Sequence, residues 1–534
     1  MWSVEDFVTS LESRTLVATS QLLLSSQRTM TQRSQSRLQP WNLLIKSNCQ
    51  ISRILFAVFL VIVSLEVINS HFTVKKLPGL VGDLPFTLET GYIGVEESDD
   101  VQFFYYFIES EGNPKVDPLM LWLTGGPGCS SLSGLFYEIG PFTTDFAYST
   151  LENPMLKLNP HSWTKAANII FLDQPAGSGF SYAKTPESYM TNDTSSSMRV
   201  YSFLKKWLVD HPNFLNNPFY LGADSYGGIV LPIVVQKIYE GFSFRFPSFV
   251  GNEVGDLMHI NIKGYVLGNP VTDASGEDNS RIPFAHRMGL LSDAIYKSTV
   301  EHCHGEYSNV DPNNNACLID LQVVDKCWDG IYQPHILEPK CHDTSSILMF
   351  DLFRRGLRAL DNTYLEISPQ LQLQGCRDDN YIYSYVWANS REAREALHIS
   401  EETRNIEWVR CNESLHYGEG EDVTSYTRNV LSTIGYHRRL SDKNCRALIY
   451  SGDHDMIVPY LSTVNWIESL NLTVVDDWRP WFVDEQVAGY TMNYSKNEYS
   501  LTFATLKGGG HTAPEYKPKE CLSMFMSWLG DDPL

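Results

Sequence analysis

The stretch Gly222-Ala223-Asp224-Ser225-Tyr226-Gly227-Gly228 separates a run of strand-forming residues, which ends at Gly222, from an apolar run that begins at Ile229 and is typical of a helix. Small residues flank Ser225, as they must where a strand and a helix approach closely and hold a serine in a strained backbone conformation. Such turns usually have glycine two residues before the serine, and Ala223 differs from that pattern by one methyl group. The stretch therefore predicts that Ser225 is a nucleophile at a strand-to-helix turn.

Two later stretches supply the partners that a serine nucleophile needs, which are a base and a carboxylate that stabilises the resulting imidazolium. The predicted strand Arg446–Ser451 leads into Gly452-Asp453-His454-Asp455-Met456-Ile457-Val458-Pro459. The predicted strand Leu501–Leu506 leads into Gly508-Gly509-Gly510-His511-Thr512-Ala513-Pro514. The order serine, aspartate, histidine, each at the carboxyl end of a strand, is that of α/β-hydrolase triads. We therefore predict a catalytic triad of Ser225, Asp455 and His511.

Two aspartates in the same turn compete for the acid position of the triad. Asp455 begins an Asp-x-x-Val-Pro sequence, which is the context of the triad acid in such enzymes. Asp453 lies nearer the end of the predicted strand, and its alternative role is to structure the turn. The context favours Asp455.

The wider chain alternates between predicted strands and helical stretches such as 197–209 and 229–239. Apolar runs without polar interruption suit a sheet buried on both faces, and the alternation indicates a parallel sheet with right-handed crossovers. The alternation stops at about 282 and resumes at 446. We expect an α/β-hydrolase fold over residues 71–534, with a helical, disulfide-bearing insertion at about 282–420. The predicted strands are Gln102–Ile108, Leu119–Thr124, Asn168–Leu172, Phe219–Gly222, Ile260–Leu267, Arg446–Ser451 and Leu501–Leu506.

The composition is that of a globular protein, with 43% hydrophobic and 19% charged residues among 534. Its net charge of −22 argues against nucleic acid or an anionic membrane surface as a partner. The acidic balance also fits a protein of an acidic compartment, in which part of the carboxylates are protonated.

The first seventy residues differ from the rest. Residues 1–50 are rich in Ser, Thr, Gln and Arg, and Arg53 precedes an almost unbroken apolar run over 54–65. A basic flank, a short apolar core and a polar exit are typical of a signal peptide, which we place within a leader spanning 1–70. The run is short for about 30 Å of hydrocarbon, so we expect no stable membrane span. A signal anchor is the alternative, because the segment before Arg53 is unusually long.

Cysteines and glycosylation sequons also favour the secretory pathway. Five of the ten cysteines lie between 303 and 376, which suits disulfides in a loop-rich insertion. Nine follow the leader, and this odd number leaves at least one thiol free. We predict a secreted or vacuolar protein with glycans at the Asn-x-Ser/Thr sequons Asn192, Asn412, Asn471 and Asn493.

Five stretches together resemble the serine carboxypeptidase-like family. Besides the three around Ser225, Asp455 and His511, they are Trp122-Leu123-Thr124-Gly125-Gly126-Pro127-Gly128-Cys129-Ser130-Ser131 and Asp173-Gln174-Pro175-Ala176-Gly177-Ser178-Gly179-Phe180-Ser181-Tyr182. The match covers nearly all of residues 72–534. It implies an oxyanion hole formed by the backbone N–H groups of Gly126 and Tyr226. It also implies three disulfides and three free thiols, namely Cys129–Cys411, Cys303–Cys317 and Cys341–Cys376 beside Cys327, Cys445 and Cys521.

The resemblance extends to the residues that bind substrate, where this chain departs from the peptidases. Carboxypeptidases of the family hold the terminal carboxylate of a peptide with an Asn before the double glycine, a Glu in the following helix and a Glu before the nucleophile. This chain keeps Glu138 but has Thr124 before Gly125 and Asp224 before the serine. Asp is one methylene shorter than Glu, and a misplacement of about 1 Å can cost ~100-fold in rate.

Both substitutions match the branch of plant acyltransferases that use 1-O-acylglucose donors. In that interpretation Ser225 attacks the ester with His511 as base, glucose leaves, and an acceptor hydroxyl takes the acyl group. The alternative is a serine-type carboxypeptidase that tolerates Thr124 and Asp224 and removes C-terminal residues from peptides at acidic pH. A third alternative is an inactive binding or structural protein, which the intact triad disfavours.

Two local patterns suggest metals, and neither fits. His302-Cys303-His304 has no second ligand pair at a suitable spacing. The stretch 311–315 resembles a calcium loop, but Ala316 stands where that loop needs glycine. We expect no metal and no organic cofactor. The polar stretch near 342–375 is a candidate for proteolytic processing.

Overall fold

The computed structural model describes residues 71–241, 244–245, 257–258, 260–341, 376–416 and 426–534. The predicted leader with its apolar run at 54–65 and the predicted processing segment at 342–375 lie outside these residues. Within the described ranges, no helix has both the length and the apolar character needed to cross a bilayer.

Twelve strands of the described chain form one central sheet, and we number them β1–β12 in chain order. The strands are β1 His71–Val74, β2 Leu88–Gly94, β3 Val101–Ile108, β4 Leu119–Leu123, β5 Asn168–Leu172, β6 Tyr182–Ala183, β7 Phe219–Asp224, β8 Ile262–Gly268, β9 Arg446–Gly452, β10 Thr473–Val483, β11 Gln486–Lys496 and β12 Tyr499–Leu506. All seven predicted strands are present to within two residues at each end. Two-stranded ladders outside this sheet join Phe142–Thr144 to Leu156–Leu158, Thr191–Asn192 to Tyr426–Thr427, and Phe244–Arg245 to Leu257–Met258.

The order across the sheet is β1-β2-β3-β5-β4-β7-β8-β9-β12-β11-β10, with β6 paired to β3. The strands from β5 to β12 in this order are parallel, as expected from the alternation of strands and helices. The parallel strands are buried; every residue of β4, for example, is buried. Because the carboxyl ends of parallel strands meet at one edge, the segments that follow β4, β7, β9 and β12 converge there.

The two sides of the sheet are antiparallel, which the sequence analysis did not anticipate. β10 and β11 are joined by Asp484 and Glu485, whose φ angles are +49° and +62°. Two consecutive positive φ angles make a tight turn that matches the twist of a hairpin, so the chain reverses without a crossover helix. The expectation of a parallel sheet therefore holds for its centre and is wrong at both sides.

Helices cover both faces of the sheet, and their apolar side chains form two large cores with it. The helices are Pro186–Tyr189, Asp193–Asp210, Gly227–Tyr239, Ala274–Arg287, Asp293–Cys303, Asn315–Trp328, Ile382–Asn389, Arg391–Ala396, Glu413–His416, Ile434–Leu440, Tyr460–Ser469, Ala513–Tyr516 and Pro518–Leu529. Single turns of other helix types occur at Gly134–Glu138, Trp163–Lys165, Pro212–Phe214, Asp378–Tyr381 and Glu401–Thr403. The sheet covered on both faces is the α/β-hydrolase arrangement predicted from the sequence.

The segment between β8 and β9 is mainly helical where it is described and contains one short strand, Tyr426–Thr427. Its first helix begins at Ala274, ahead of the expected boundary near 282. The three predicted disulfides are confirmed, namely Cys129–Cys411, Cys303–Cys317 and Cys341–Cys376. Cys303–Cys317 joins the helices that end and begin beside it, and Cys129–Cys411 joins this segment to the glycine loop after β4. Among the cysteines of the described ranges, the free thiols are Cys327, Cys445 and Cys521, as predicted.

Candidate active site

Ser225 lies at the sharp turn between β7 and the helix Gly227–Tyr239, with φ at +49°. A non-glycine residue in this left-handed region is strained, and hydrogen bonds hold it there. Its N–H donates to the Gly268 carbonyl at 2.9 Å, and its own carbonyl accepts from the N–H groups of Gly228 and Val271. The strand-to-helix turn predicted from the sequence is present.

The glycine after the nucleophile explains how the turn accepts Ala223. A methyl group built on Gly227 would lie 2.5 Å from the Ala223 methyl, so only one of the two positions can carry a side chain. In this chain the usual glycine before the serine is replaced by alanine, and Gly227 leaves the space that the alanine methyl fills.

The structure brings Ser225, His511 and Asp455 together in a linear chain of hydrogen bonds. His511 Nε2 is 2.8 Å from Ser225 Oγ, and His511 Nδ1 is 2.8 Å from Asp455 Oδ2. Since a carboxylate only accepts, Nδ1 carries a proton and Nε2 is free to accept the serine proton. The geometry is that of a nucleophile, a base and an orienting acid.

Asp455, and not Asp453, occupies the acid position. Asp455 is fully buried and accepts hydrogen bonds from the Asn269 side chain at 2.8 Å and from the N–H of Ile457 at 2.7 Å. Asp453 accepts the N–H of Gly508 at 2.7 Å, which ties its turn to the loop that carries His511. The choice of Asp455 from its sequence context agrees with this placement, and Asp453 structures the turn.

The histidine pKa reflects both its burial and its neighbours. Burial lowers the pKa of His511, but the charge and hydrogen bond of Asp455, together with the charge of Asp224, outweigh that effect and raise it above its ordinary value of 6.5. The site therefore stabilises the imidazolium that forms when Ser225 gives up its proton.

The predicted oxyanion hole lies beside the nucleophile. Gly126 has φ at +120°, and a methyl group on Gly125 would lie 2.6 Å from Ser225 Cβ, so the loop passes close to the serine only because it lacks side chains. Neither the Gly126 nor the Tyr226 N–H donates to an acceptor among the described residues. Two unused backbone donors next to a nucleophile are what a developing oxyanion needs.

Asp193 fixes the side chain of Tyr226 and was not found from the sequence. Its Oδ1 accepts from the hydroxyls of Tyr226 and Tyr426, each at 2.8 Å, and its Oδ2 accepts from the N–H groups of Asn429 and Val430. This buried carboxylate anchors the start of the helix that follows the nucleophile, although no sequence pattern marks it.

The residues predicted to bind substrate, here called the substrate pocket, are buried beside the triad. Asp224 Oδ1 accepts the Gly125 N–H at 3.0 Å, and Glu138 Oε2 accepts the Trp122 indole N–H at 3.1 Å. The Thr124 hydroxyl is buried and has no hydrogen-bond partner in the described part of the chain. The pocket thus presents two carboxyl groups and one uncommitted hydroxyl.

The two carboxyl groups hold protons more strongly than exposed ones. Burial raises the pKa of Asp224 to about 6, although His511, the Gly125 N–H and Arg410 oppose it. Burial and the charge of Asp224 raise the pKa of Glu138 well above its ordinary range, against Arg410 and Trp122. At mildly acidic pH both groups therefore have a large neutral fraction.

Arg410 is a charged residue of this site that sequence reasoning missed. Its guanidinium lies 3.9 Å from the centre of the Tyr381 ring, and its charge acts on both Asp224 and Glu138. The disulfide between its neighbour Cys411 and Cys129 fixes it beside the glycine loop. An arginine directly before a paired cysteine is the only sequence signal that could have indicated it.

Neither metal pattern noted in the sequence forms a cluster. Cys303 is in a disulfide with Cys317, and His302 Nδ1 lies 2.7 Å from Asp320 Oδ2. No residue of the stretch 311–315 belongs to a group of potential metal ligands among the described residues.

Comparison with known proteins identifies the family. The serine carboxypeptidase family profile matches residues 78–531. The chain belongs to the serine carboxypeptidase family. Serine carboxypeptidase-like 10 of Arabidopsis thaliana is 46% identical over 477 residues, which are 89% of this chain and 98% of the relative. Serine carboxypeptidase-like 19 of the same plant is 45% identical, covering 88% and 96% of the two chains.

A solved structure shows the fold of this serine carboxypeptidase-like protein. The prohormone-processing carboxypeptidase Kex1 of Saccharomyces cerevisiae superposes with a TM-score of 0.65 at 19% identity, covering 86% of this chain and 96% of Kex1. The resemblance stated from the sequence is confirmed for the family and the fold.

Proposed function

We propose that this protein is a serine-dependent acyltransferase that moves an acyl group from a glucose ester, through acyl-Ser225, to an acceptor hydroxyl. The observation that supports it is the pair Thr124 and Asp224. Asp224 accepts the Gly125 N–H at 3.0 Å, and the buried Thr124 hydroxyl has no partner within the described ranges of the chain. Such a pocket is poorly built to grip a peptide carboxylate and offers Thr124 to a neutral, hydroxyl-rich donor.

The geometry supports a two-step reaction. His511 Nε2 accepts the proton of Ser225 Oγ as that oxygen attacks the ester carbonyl, and the Gly126 and Tyr226 N–H groups stabilise the oxyanion by about 3–4 kcal/mol each. Collapse breaks the bond to glucose, whose oxygen takes the proton from His511. The acceptor hydroxyl then gives its proton to His511 and attacks the carbonyl of the acyl-enzyme. Collapse of this second intermediate breaks the bond to Ser225 Oγ, which takes the proton back from His511.

Carboxypeptidase activity is the second candidate, and the buried acids favour it. Burial raises the pKa values of Asp224 and Glu138, so at mildly acidic pH each has a neutral fraction that can donate a hydrogen bond. Two carboxylic acids that donate would bind a peptide carboxylate. This candidate predicts peptide hydrolysis that weakens as pH rises through about 6, where Asp224 loses its proton.

The disulfides and sequons support our proposal that the protein is secreted or vacuolar. Three disulfides suit an oxidising compartment. Asn471 is exposed just after the helix Tyr460–Ser469 and is the sequon best placed for a glycan. Asn192, Asn412 and Asn493 are half-buried. The amide nitrogens of Asn412 and Asn493 donate to Gly177 and Asp476 at 3.0 and 3.1 Å, whereas that of Asn471 donates to the Ser469 carbonyl at 3.4 Å.

A paired assay tests the proposed function. Purified glycosylated protein is given a phenolic acyl-glucose with candidate hydroxyl acceptors and, separately, a blocked dipeptide. We expect release of glucose with a matching amount of acylated acceptor, and neither product with Ser225→Ala. Efficient dipeptide hydrolysis without ester transfer would contradict the proposal and favour the peptidase. A failure of a fluorophosphonate to label Ser225 in the same preparation would favour an inactive binding protein.

A further inference from the structure

A second group of polar residues lies on the edge strands β1 and β2, away from the strands that lead to the triad. His71 in β1, Glu89 in β2 and His211 each present a ligand atom, and these atoms lie within 4.8 Å of one another. In the order of the sheet, β3, β5 and β4 lie between β2 and β7, the strand that leads to Ser225. The two groups are therefore separated by several strands.

The register of the sheet places the group's members on one face. Glu89 is paired with Thr73, two residues after His71, so the side chains of His71 and Glu89 point to the same side. His211 reaches this face from the end of the helix Asp193–Asp210, and its ring is 5.2 Å from that of His71. The end of this helix, which is far along the chain from β1 and β2, thus adds a ligand atom beside those of His71 and Glu89.

His211 is held in the tautomer that a metal ligand needs. Its Nδ1 is 2.8 Å from the Trp207 carbonyl, which only accepts, so Nδ1 carries the proton. In neutral imidazole the lone pair is then on Nε2, which lies 2.9 Å from Glu89 Oε1. Two acceptors at that distance need a positive charge between or beside them, which is supplied by a second proton on the ring or by a cation.

The surroundings of the group resemble the outer shell of a metal site. The Tyr105 hydroxyl donates to Glu89 Oε1 at 2.7 Å and orients the carboxylate. The His211 ring stacks on Trp207 at 3.9 Å between centres, and the His211 and Glu89 side chains are only 9% and 13% exposed. The His71 side chain has no hydrogen bond to another described residue. Metal-bound imidazoles are oriented in this way by a carbonyl on their second nitrogen.

We propose that His71, Glu89 and His211 bind one zinc ion. Two imidazole nitrogens and one carboxylate oxygen are ligands that Zn²⁺ prefers, with water in the fourth position. Ligands at about 2.0–2.1 Å around a tetrahedral ion are roughly 3.3 Å apart, so the 4.8 Å group needs only side-chain rotations to close. The ion would link the edge strand β1, which has four residues, to β2 and to the end of the helix Asp193–Asp210.

No short pattern of residues marks this site, because its ligands lie at positions 71, 89 and 211. No short ligand spacing exists, and the expectation that the chain binds no metal came from the two local patterns alone. The zinc proposal does not depend on the acyl-transfer chemistry, since none of its ligands belongs to the triad or its pocket.

Zinc titration of chelator-treated protein at pH 7.5 tests the site. We expect calorimetry to show one saturable zinc per chain and the melting temperature to rise by a few degrees. His71→Ala removes a ligand with little effect on packing, and Glu89→Gln keeps the shape of the side chain. Each should weaken zinc binding at least ~10-fold. His286→Ala is the matched control, because His286 contacts only one carboxylate, Asp293 at 2.8 Å, and should bind zinc like the parent.

The outcomes are distinct. Zinc K-edge absorption that shows two imidazoles would support the site, as would normal binding by His286→Ala beside weak binding by the two ligand variants. Absence of saturable zinc binding below about 100 μM would overturn the proposal and leave a protonated His211 paired with Glu89. Equal binding by Glu89→Gln and the parent would overturn it as well, even if His71→Ala fails to fold. Transferase or peptidase assays of the same proteins report separately on Ser225.

Discussion

The triad and the substrate pocket surround the same serine, but their polar groups are held differently. In the triad, His511 contacts both partners at 2.8 Å, and Asp455 accepts further hydrogen bonds from Asn269 and Ile457. In the pocket, the Thr124 hydroxyl has no described partner, and burial raises the pKa values of the two acids. The triad is thus a satisfied network, whereas the pocket contains a buried polar group that has no partner among the described residues, and we propose that the substrate supplies that partner.

This contrast has a physical reason. A buried polar group without a partner costs about 1–3 kcal/mol, and a substrate that supplies the partner recovers that energy on binding. The reacting groups, in contrast, must keep one geometry through two steps and several proton transfers, so their partners belong to the protein. The effects of mutations in the triad and in the pocket should therefore differ in size and in kind.

The largest effects are expected in the triad. Ser225→Ala removes the nucleophile and His511→Ala the base, and each should reduce kcat by on the order of 10⁴–10⁶-fold. Asp453→Asn is the control, because its amide oxygen can still accept the Gly508 N–H, and it should lose less than about tenfold. Steady-state rates measure the loss of activity in each variant, and labelling by a fluorophosphonate shows whether a reactive Ser225 is present. Residual activity above about 1% in either triad variant would refute the assignment of the triad.

An intermediate effect is expected in the pocket. The double variant Thr124→Asn with Asp224→Glu restores an amide and a longer carboxylate, and should raise dipeptide hydrolysis roughly 10–100-fold while ester transfer falls. The ratio of the two kcat/KM values measures the change. Ser195→Ala, on the helix Asp193–Asp210, serves as a control outside the pocket and should leave the ratio unchanged. If the double variant gains no peptidase activity, residues other than Thr124 and Asp224 determine the substrate specificity.

The smallest effect concerns pH. His511 must be neutral to accept the serine proton, and its pKa is raised above 6.5, so kcat/KM should fall as pH falls through a midpoint above 6.5. Asp224 contributes to that raised pKa through its charge. Asp224→Asn removes the charge, disfavours the imidazolium and should move the midpoint toward lower pH, whereas Asp453→Asn should leave it in place. A midpoint that rises or stays in Asp224→Asn would contradict this linkage.

The predictions from sequence agree most closely with the structure where a short stretch of residues is enough to define the feature. Ser225 is recognisable because a strained turn demands small neighbours, and Gly125 and Gly126 because a loop that touches the serine cannot carry side chains. The choice between Asp453 and Asp455 rested on a five-residue context and agrees with the 2.8 Å contact to His511. The disulfides followed from family resemblance, which carries long-range information that spacing alone does not.

Long-range partners escaped sequence reasoning. Asn269 is 186 residues from Asp455 and Arg410 lies far from Glu138 in the chain, so no window of sequence contains both members of a pair. The antiparallel edges were missed for a different reason. The pattern of a strand shows which residues face the same side, but not the direction in which the strand runs beside its neighbour. For β10 and β11, the short turn at Asp484 and Glu485 decides that direction.

Short stretches of sequence are enough to predict the parallel core of the sheet, the candidate nucleophile and the order of the triad, because burial, turn geometry and strand ends leave marks on neighbouring residues. The groups that surround these residues are visible only in the folded chain. Folding places Arg410 and Glu138 around Asp224, leaves the Thr124 hydroxyl without a partner among the described residues, and brings His71 to His211. Hydrogen bonds and charges act over a few ångströms of space regardless of separation along the chain, so their partners become visible only once the chain is folded.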